Sequence, residues 1–269
     1  MEFNSKDIQE QYTGFLNTQT LWNNSFYGLK QLNLPPIPDH AFDRELTKNT
    51  RLGKRVESFV SCYLQHYHNI EIKQENIQIQ KGNRTIGELD CILLLNDEPI
   101  HLEIIYKFYL YDETIGYSEI DRWIGPNRND SLVEKIKKLR SKQLPMLFKE
   151  ETKQYLHVNV ESIKQMVLFK AQLFVPFAKQ QIEFNQLNSG CVSGFYIHKH
   201  ELMKFNACKF YIPRKLDWLL VPHQHVDWIP FDAYAKQTET EMVRKSSLLC
   251  WMKQPNGEIF KFFLIWWES

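Results

Sequence analysis

Residues 85–111 read TIGELDCILLLNDEPIHLEIIYKFYLY, and this stretch decides the fold. It contains two β-rich runs, Thr85–Leu95 and Ile100–Tyr111, which are separated by a short turn. The unbroken apolar run Cys91–Leu95 is typical of a strand that is covered on both faces. An alternating segment at Ile70–Gln80 predicts one more strand directly before these two. The stretch therefore predicts three consecutive strands of a buried sheet.

Helical patterns stand on both sides of these strands. A helix is predicted from about Asn49, because apolar residues recur there at helical spacing: Leu52, Val56, Phe59, Val60, Tyr63 and Leu64. A second helix is predicted after the Gly125–Asp130 loop, and a buried strand at Gln165–Val175. The order helix, three strands, helix, strand indicates an α/β core with a mixed central sheet.

Three segments follow from this pattern. Residues 1–44 form an N-terminal helical lead that ends in a Pro-rich connector, and residues 45–178 form the α/β core. Residues 179–269 form a C-terminal α+β extension packed on the core, in which a Pro255–Gly257 turn predicts a hairpin. The tryptophans of the extension are interpreted as core residues rather than as a base-stacking platform.

Composition excludes several classes of protein. The 269 residues carry 33 basic and 32 acidic side chains, so a phosphate partner must be met by a local patch. No apolar run has the length needed to cross a bilayer, and the N-terminus lacks a signal-peptide pattern. Five scattered cysteines indicate buried thiols rather than a disulfide framework. A cytoplasmic protein without a membrane partner is expected, and its oligomeric state is left open.

Two acids lie inside these apolar strands, Asp90 in the second and Glu103 in the third. Strands joined by a tight turn are neighbours, so the two carboxylates can approach each other across the pair. A buried charge is costly unless it is paired or binds a cation. Converging carboxylates suit Mg²⁺ (or Mn²⁺), and a metal-bound water beside a phosphodiester supplies a nucleophile.

Two further charged residues are candidates for the same site. Lys107 follows Glu103 by four positions, so both side chains project from one face of an unbroken strand. A lysine there can stabilise the charge that develops on a phosphoryl group. Glu57, on the first core helix, can point into the site and orient a metal-bound water or the lysine.

Short motifs along the chain resemble the bacterial domain of unknown function 1853 family. They are Arg51–Glu57, Gly87–Asp90, Glu103, Lys107–Leu110, Trp123–Asn127 with Asp130, Gln143-Leu144 and Lys215–Leu219. That family is considered similar to the PD-(D/E)XK nucleases. The resemblance implies a restriction-endonuclease-like core with Asp90 and Glu103 as metal ligands. It also implies Lys107 as the catalytic lysine and Glu57 as the helix acid.

The sequence departs from the superfamily motif, which places lysine two residues after the acid, where this chain has Ile105. Lys107 is then a displaced catalytic lysine, a substrate-positioning residue or only an ion-pair partner of Glu103. Asp90, Glu103 and Lys107 can also form a structural charge cluster without metal. Glu57 can equally form a helix-surface ion pair.

The expected activity is Mg²⁺-dependent hydrolysis of phosphodiester bonds in DNA, with RNA as the second choice. Lys135, Lys138 and Lys142 suit phosphate contacts, although such a row is most often a solvated helix face. A catalytically inactive nucleic-acid-binding module is the alternative, and a protein-interaction module built on the aromatic C-terminal region is a third. Three His-x-His pairs occur, at His66/His68, His198/His200 and His223/His225. The first pair falls at a helix end, where side chains two apart diverge. His198 and His200 can share one face of a strand, but no third ligand stands nearby, so zinc is not expected there.

Overall fold

A computed structural model of the chain describes residues 5–37, 40–44, 46, 51–156 and 159–268. It is a mixed α/β protein with a large mixed sheet. The helices are α1 (Ser5–Asn17), α2 (Leu52–Gln65), α3 (Leu132–Lys138), α4 (Glu150–Lys153) and α5 (Phe231–Val243). The strands of the first half are β1 (Ser25–Phe26), β2 (Leu29–Lys30), β3 (Ile70–Lys81), β4 (Arg84–Leu95), β5 (Glu98–Tyr111) and β6 (Trp123–Ile124). Those of the second half are β7 (Lys164–Pro176), β8 (Val192–His198), β9 (Lys209–Tyr211), β10 (Ile229–Pro230), β11 (Leu248–Lys253) and β12 (Ile259–Ile265).

The chain divides into two compact units that alternate along the sequence. The first unit consists of residues 1–12, 20–106 and 134–170, and the second consists of residues 13–19, 107–133 and 171–269. The three segments expected from the sequence stay a prediction. The expected helix start at Asn49 and the segment boundary at Glu45 lie outside the described residues.

The first unit contains the predicted run of three strands. β3, β4 and β5 pair antiparallel in this order, and most apolar side chains of α2 are buried, among them Val56, Phe59, Val60 and Leu64. Cys91, Ile92 and Leu93 are consecutive in β4 and all at most 3% exposed, so this part of the strand is covered on both faces, as the unbroken apolar run predicts. The sequence thus predicts β3, β4 and β5 correctly, whereas the short strands β1 and β2 of the same unit lie in the N-terminal segment that was expected to be helical.

A two-residue turn sets the register between β4 and β5. Asn96 and Asp97 both have positive φ, 50° and 64°, which is the backbone of a type I′ hairpin turn. Leu95 pairs with Glu98, and the register continues to Cys91 opposite Leu102. One step further, this register places Asp90 opposite Glu103. The turn therefore determines which side chains of the two strands meet.

The second unit is built around parallel and antiparallel strand pairs. β8 pairs parallel with both β7 and β12, and β12 forms an antiparallel hairpin with β11. The hairpin turn contains Gly257 at φ 91°, so the turn predicted there is confirmed. α5 contributes Tyr234 to a core that includes Phe210 and Phe262. Trp251 and Trp267 are buried, in keeping with the interpretation of the aromatics as core residues, whereas Trp218, Trp228 and Trp266 are only partly buried.

The structure agrees with the sequence on the state of the cysteines and on the absence of long apolar helices among the described residues. All five cysteines carry free thiols and are buried. Within the part of the chain that the structure describes, no helix combines the length and the apolar character needed to cross a bilayer.

Candidate acidic centre

Asp90 occupies a position where β4 separates from its neighbours. The pairing of β4 with β5 ends at Cys91 and Leu102, one residue before Asp90. The Asp90 carboxylate instead accepts a hydrogen bond from the backbone N–H of Ile104 through Oδ2, at 2.8 Å. This contact brings the acid of β4 to the residue directly after Glu103, so the two sequence-predicted ligands are neighbours across the strand pair.

The opposite edge of β4 also lacks a regular pair at this point. The β3–β4 register passes from Glu75 and Cys91 to Ile77 and Leu89, and the intervening residue of β3, Asn76, has φ 55°. A positive φ turns the backbone of Asn76 away from the extended form that a ladder requires. Asp90 is therefore flanked by irregular backbone on both sides, and it is partly exposed although its neighbours Leu89 and Cys91 in β4 are buried.

Glu103 is fully buried, and each of its carboxylate oxygens has one partner among the described residues. Oε1 lies 3.1 Å from Nε2 of His101, which is also fully buried, and Oε2 accepts a hydrogen bond of 2.6 Å from Nε2 of Gln143. His101 and Glu103 are two residues apart in β5, so their side chains leave the strand on the same face. These two contacts hold the Glu103 carboxylate in one orientation.

A further hydrogen bond defines the tautomer of His101. The Gln165 side-chain amide donates to the backbone carbonyl of Leu144 at 2.6 Å and lies 3.0 Å from His101 Nδ1. Because the Leu144 carbonyl fixes the amide nitrogen on this side, Nδ1 accepts and the neutral imidazole carries its proton on Nε2. His101 then donates that proton toward Glu103, as histidines behind metal-binding carboxylates do.

Gln143 reaches Glu103 from an irregular helical turn. Residues Leu139–Gln143 continue α3 as a π-helical turn, and such turns are frequent at functional sites. The side-chain oxygen of Gln143, Oε1, accepts a hydrogen bond of 2.6 Å from Nζ of Lys135. One chain of contacts thus runs from Lys135 through Gln143 to Glu103.

The glycine of the Gly87–Asp90 motif has a packing reason. A Cβ at Gly87 would lie 2.2 Å from the Met146 side chain, which is buried in the turn after Gln143. An added side chain at this position would require Met146 to move. Gly87 therefore leaves room for Met146 against β4.

Two outer acids surround the inner pair. Lys54 Nζ lies 2.8 Å from Glu57 Oε2 and 2.6 Å from Glu88 Oε1, and it also donates to the Asn76 side chain at 2.7 Å. Glu57 was expected either in the site or in an ion pair on the helix surface. It forms the ion pair with Lys54, and its charge also acts on Asp90.

The electrostatics show how closely the acids are grouped. Burial, followed by repulsion from Glu103, raises the pKa of Asp90 to about 7, although the Ile104 N–H opposes this rise. Glu57 and Glu88 add smaller repulsive contributions in the same direction. Burial also raises the pKa of Glu57, while Lys54 lowers it. A carboxyl group whose pKa is raised by a neighbouring carboxylate is typical of a functional site.

Lys107 lies on β5 and is the first residue of that strand that belongs to the second unit. Its ion-pair partner belongs to the same unit. Nζ forms a short ion pair with Oδ2 of Asp130. Ile105, two residues after Glu103, is 4% exposed. A catalytic role of Lys107 stays a prediction.

The three lysines predicted to contact phosphate have different surroundings. Lys135 is partly buried and donates to Gln143, so it belongs to the support of Glu103. Lys138 and Lys142 are exposed. A phosphate-contacting role stays a prediction for all three.

The inner acids have the chemistry of a hard-cation site. They provide carboxylate oxygens, and neither Asp90 nor Glu103 has a lysine or arginine ion-pair partner among the described residues. Mg²⁺ is bound by one or two carboxylates and completes its shell with water, so two protein ligands are enough. Asp90 and Glu103 therefore fit the ion that the sequence predicts.

The sequence reasoning missed the residues that hold Glu103. His101 carries a readable signal, because it stands two residues before the acid in the same strand. Gln143 and Gln165 carry no local signal, because their contacts with β5 depend on how the chain folds back.

The fold and this site define a mixed α/β protein with an acidic pair, in which the buried Glu103 is held by neutral polar side chains and Asp90 is partly exposed. The family model described as "Domain of unknown function (DUF1853)" matches residues 12–261, and the chain belongs to this family. A comparison with curated proteins finds no significant match, and neither does a comparison with solved structures.

Proposed function

We propose that this chain is a Mg²⁺-dependent nuclease that hydrolyses phosphodiester bonds in DNA, with RNA as the second choice of substrate. The observation that carries the proposal is the approach of the Asp90 and Glu103 carboxylates, which is marked by the raised pKa of Asp90. Two neighbouring carboxylates repel each other unless a cation lies between them. The proposed Mg²⁺, for which Mn²⁺ can substitute, relieves this repulsion.

In the proposed reaction, the residues of the acidic centre have different roles. Asp90 and Glu103 hold the ion, while His101 and Gln143 keep the Glu103 carboxylate oriented. Glu57, held by Lys54, orients the attacking water. The bound ion would supply Lewis-acid activation of the phosphate and a water of lowered pKa.

The order of elements supports a restriction-endonuclease-like core as the finer fold. α2 precedes the antiparallel strands β3, β4 and β5, and α3 and β7 follow them. This order agrees with the core that the resemblance to the PD-(D/E)XK nucleases implies. Family membership raises the weight of that resemblance, since its motifs lie within residues 12–261.

A second candidate function is nucleic-acid binding without turnover. It is favoured by the buried Ile105 and by the ion pair that Lys107 forms with Asp130. Without an amine at the reacting phosphate, the chain would bind a phosphodiester and not cleave it efficiently. This candidate shares the acidic pair with the nuclease and differs only in turnover.

Cleavage assays separate the two functions. The full-length protein is incubated with single-stranded DNA, duplex DNA and RNA in Mg²⁺, Mn²⁺ or EDTA. Cleavage in either metal, and none in EDTA, is expected. Asp90→Asn and Glu103→Gln should each lower the rate at least about 100-fold, because each removes a charged metal ligand. Asp97→Asn is the matched control, since Asp97 lies exposed in the β4–β5 turn and asparagine accepts its positive φ.

The outcomes are distinct. Binding that persists in EDTA, without cleavage in any metal, would support the binding module. Absence of both cleavage and Mg²⁺ or Mn²⁺ binding by calorimetry would refute the metal centre. A Lys107→Met variant with unchanged cleavage would remove that lysine from the reaction.

A further inference from the structure

We propose that His40, Cys62 and His66 form a binding site for one Zn²⁺ ion, with Asp43 as the fourth ligand. One ring nitrogen of each histidine and the Cys62 sulfur all lie within 4.8 Å of one another. The imidazole rings of His40 and His66 are 3.6 Å apart between their centroids. This site is independent of the acidic pair and does not rest on the proposed nuclease activity.

The helix explains half of the site. Cys62 lies in α2, and His66 follows it by four positions as the C-terminal cap of that helix. The backbone of His66 is still helical, with φ −79° and ψ −4°, and its N–H donates to the Tyr63 carbonyl. Residues four apart on a helix share one face, and this is the spacing with which helices chelate metal ions.

The segment before the helix supplies the other two ligands. Its backbone is held by the Gln9 side chain, which donates to the His40 carbonyl and accepts from the Phe42 N–H at 2.7 Å. In this position the Cys62 thiol donates to Oδ1 of Asp43 at 3.4 Å. The Asp43 carboxylate thus already faces the sulfur, and it would face a cation that replaces the thiol proton.

Tyr12 contacts two of the proposed ligands, His40 and Cys62. The hydroxyl of Tyr12, a fully buried residue, lies 2.5 Å from Nε2 of His40. Metal-binding histidines are commonly oriented by such a hydrogen bond. Tyr12 therefore fixes the ring of His40, although it does not itself bind the ion.

The ligand types select the metal. One thiolate, two imidazoles and a carboxylate suit Zn²⁺ in tetrahedral geometry, whereas Mg²⁺ prefers oxygen ligands alone. Tetrahedral Zn²⁺ separates its ligand atoms by about 3.3 to 3.7 Å, given bond lengths near 2.0 to 2.3 Å. For the three grouped ligand atoms, closing the present distances requires shifts on the order of 1 Å, which side-chain rotation of the exposed His66 can provide. Asp43 contacts Cys62 but lies outside this group, so its side chain must also rotate toward the two histidines.

A bound Zn²⁺ would join residues 40–43 to the C-terminal end of α2. The same helix carries Glu57 near its N-terminal end. Because all four ligands are contributed by side chains, the site is closed and has the character of a structural rather than a catalytic zinc centre. Its binding free energy would then stabilise the fold.

Metal titration of the full-length protein tests the proposal. The reduced, chelator-treated protein is titrated with Zn²⁺, and with Co²⁺ as a spectroscopic probe. One tightly bound ion per chain is expected at this site, with any ion at the acidic pair binding more weakly, and the Co²⁺ form should show a thiolate-to-metal charge-transfer band and the visible bands of tetrahedral coordination. Cys62→Ser should abolish the charge-transfer band. Both Cys62→Ser and His66→Gln should weaken binding at least about 100-fold.

Two controls keep the test specific. His68→Gln changes an exposed histidine two residues further along and should bind as the wild type does. The double variant Asp90→Asn, Glu103→Gln removes the acidic pair and should also leave the Co²⁺ spectrum unchanged. His66→Gln alters an exposed residue, so its fold is expected to persist, and circular dichroism verifies this.

Three results would overturn the proposal. The first is a reduced wild-type protein that gives no charge-transfer band with Co²⁺. The second is a folded His66→Gln variant that binds Zn²⁺ with wild-type affinity. The third is Zn²⁺ binding that is lost only when Asp90 and Glu103 are changed. The last would assign the ion to the acidic pair and leave the nuclease proposal standing.

Discussion

Replacing Asp90 with asparagine should raise the free energy of unfolding at alkaline pH. The folded protein keeps this carboxylate next to Glu103 in a partly buried position, and the pKa of Asp90 is about 7 as a result. Asparagine has the same shape and carries no charge, so it removes the repulsion. Its amide oxygen can still accept the hydrogen bond of the Ile104 N–H.

The magnitude follows from proton linkage. The pKa of Asp90 rises from 3.8 in the unfolded chain to about 7 in the fold, so the folded chain binds the proton more tightly. The free energy of unfolding therefore falls as pH rises through this interval. At about 1.4 kcal/mol per pH unit, the penalty in the wild type reaches roughly 2 kcal/mol at about pH 5 and roughly 4 kcal/mol at about pH 8. Asp90→Asn lacks the penalty at both values.

Urea unfolding of wild type and variant in EDTA measures the difference. The variant should be more stable at both pH values, with the larger gain at about pH 8. Mg²⁺ should then stabilise the wild type and not the variant, because only the wild type has both charged ligands. A stability gain that is equal at the two pH values, or absent at the higher one, would refute the electrostatic argument. Asp97→Asn, in the exposed turn, controls for the loss of a charge elsewhere.

Three further perturbations have predictable outcomes. Gln143→Leu removes the amide that donates to the buried Glu103, so urea unfolding should show a loss of about 1 to 3 kcal/mol; an unchanged midpoint would mean that this hydrogen bond contributes nothing. Lys54→Met leaves Glu57 and Glu88 without the cation that they share. Thermal melting at neutral pH should show that the free energy of unfolding falls by about 0.5 to 1 kcal/mol. An equal loss at low pH would contradict the ionic cause. Burial lowers the pKa of Lys261 from 10.5 to about 7. Between these two pH values the folded chain binds fewer protons than the unfolded chain, so the melting temperature of the wild type should rise with pH over this interval. Lys261→Met should lack this rise, and parallel melting curves for the two proteins would exclude the explanation.

The hairpin that contains both acids could be predicted because its information is local. Apolar periodicity marks β4 and β5, and Asn96-Asp97 between them forms a two-residue turn. Such a turn fixes the register, and a register error of one residue would send Asp90 and Glu103 to opposite faces of the sheet. The approach of the two acids is therefore encoded within a short stretch of chain.

The support of the acids could not be predicted in the same way. Gln143 reaches Glu103 because an extra residue in the π-helical turn Leu139–Gln143 changes which side chains face β5. No periodicity in the sequence predicts that turn. The same holds for the pairing of Lys107 with Asp130, since a loop residue 23 positions away has no local relation to the strand.

The proposed zinc ligands could be predicted only in part, because Cys62 and His66 lie at helical spacing in one segment while His40 lies in the connector before the helix. His66 also stands two residues before His68, and side chains two apart on a helix diverge, so that pair does not indicate a metal site. The ligand partner of His66 in the same helix is Cys62, four positions before it, while His40 belongs to the connector. A search for cysteine and histidine at helical spacing would have found the first pair.

The two kinds of acid in the first unit differ in what surrounds them, and this difference bears on function. Glu57 and Glu88 share the cation Lys54, which neutralises part of their charge. Glu103 is held instead by His101 and a glutamine, and Asp90 by a backbone N–H. Neutral donors fix the direction of a carboxylate but leave its charge in place, whereas a structural ion cluster would bring a lysine or arginine to it. Oriented and uncompensated carboxylates are what a divalent cation requires, so this arrangement favours a metal centre over a purely structural charge cluster.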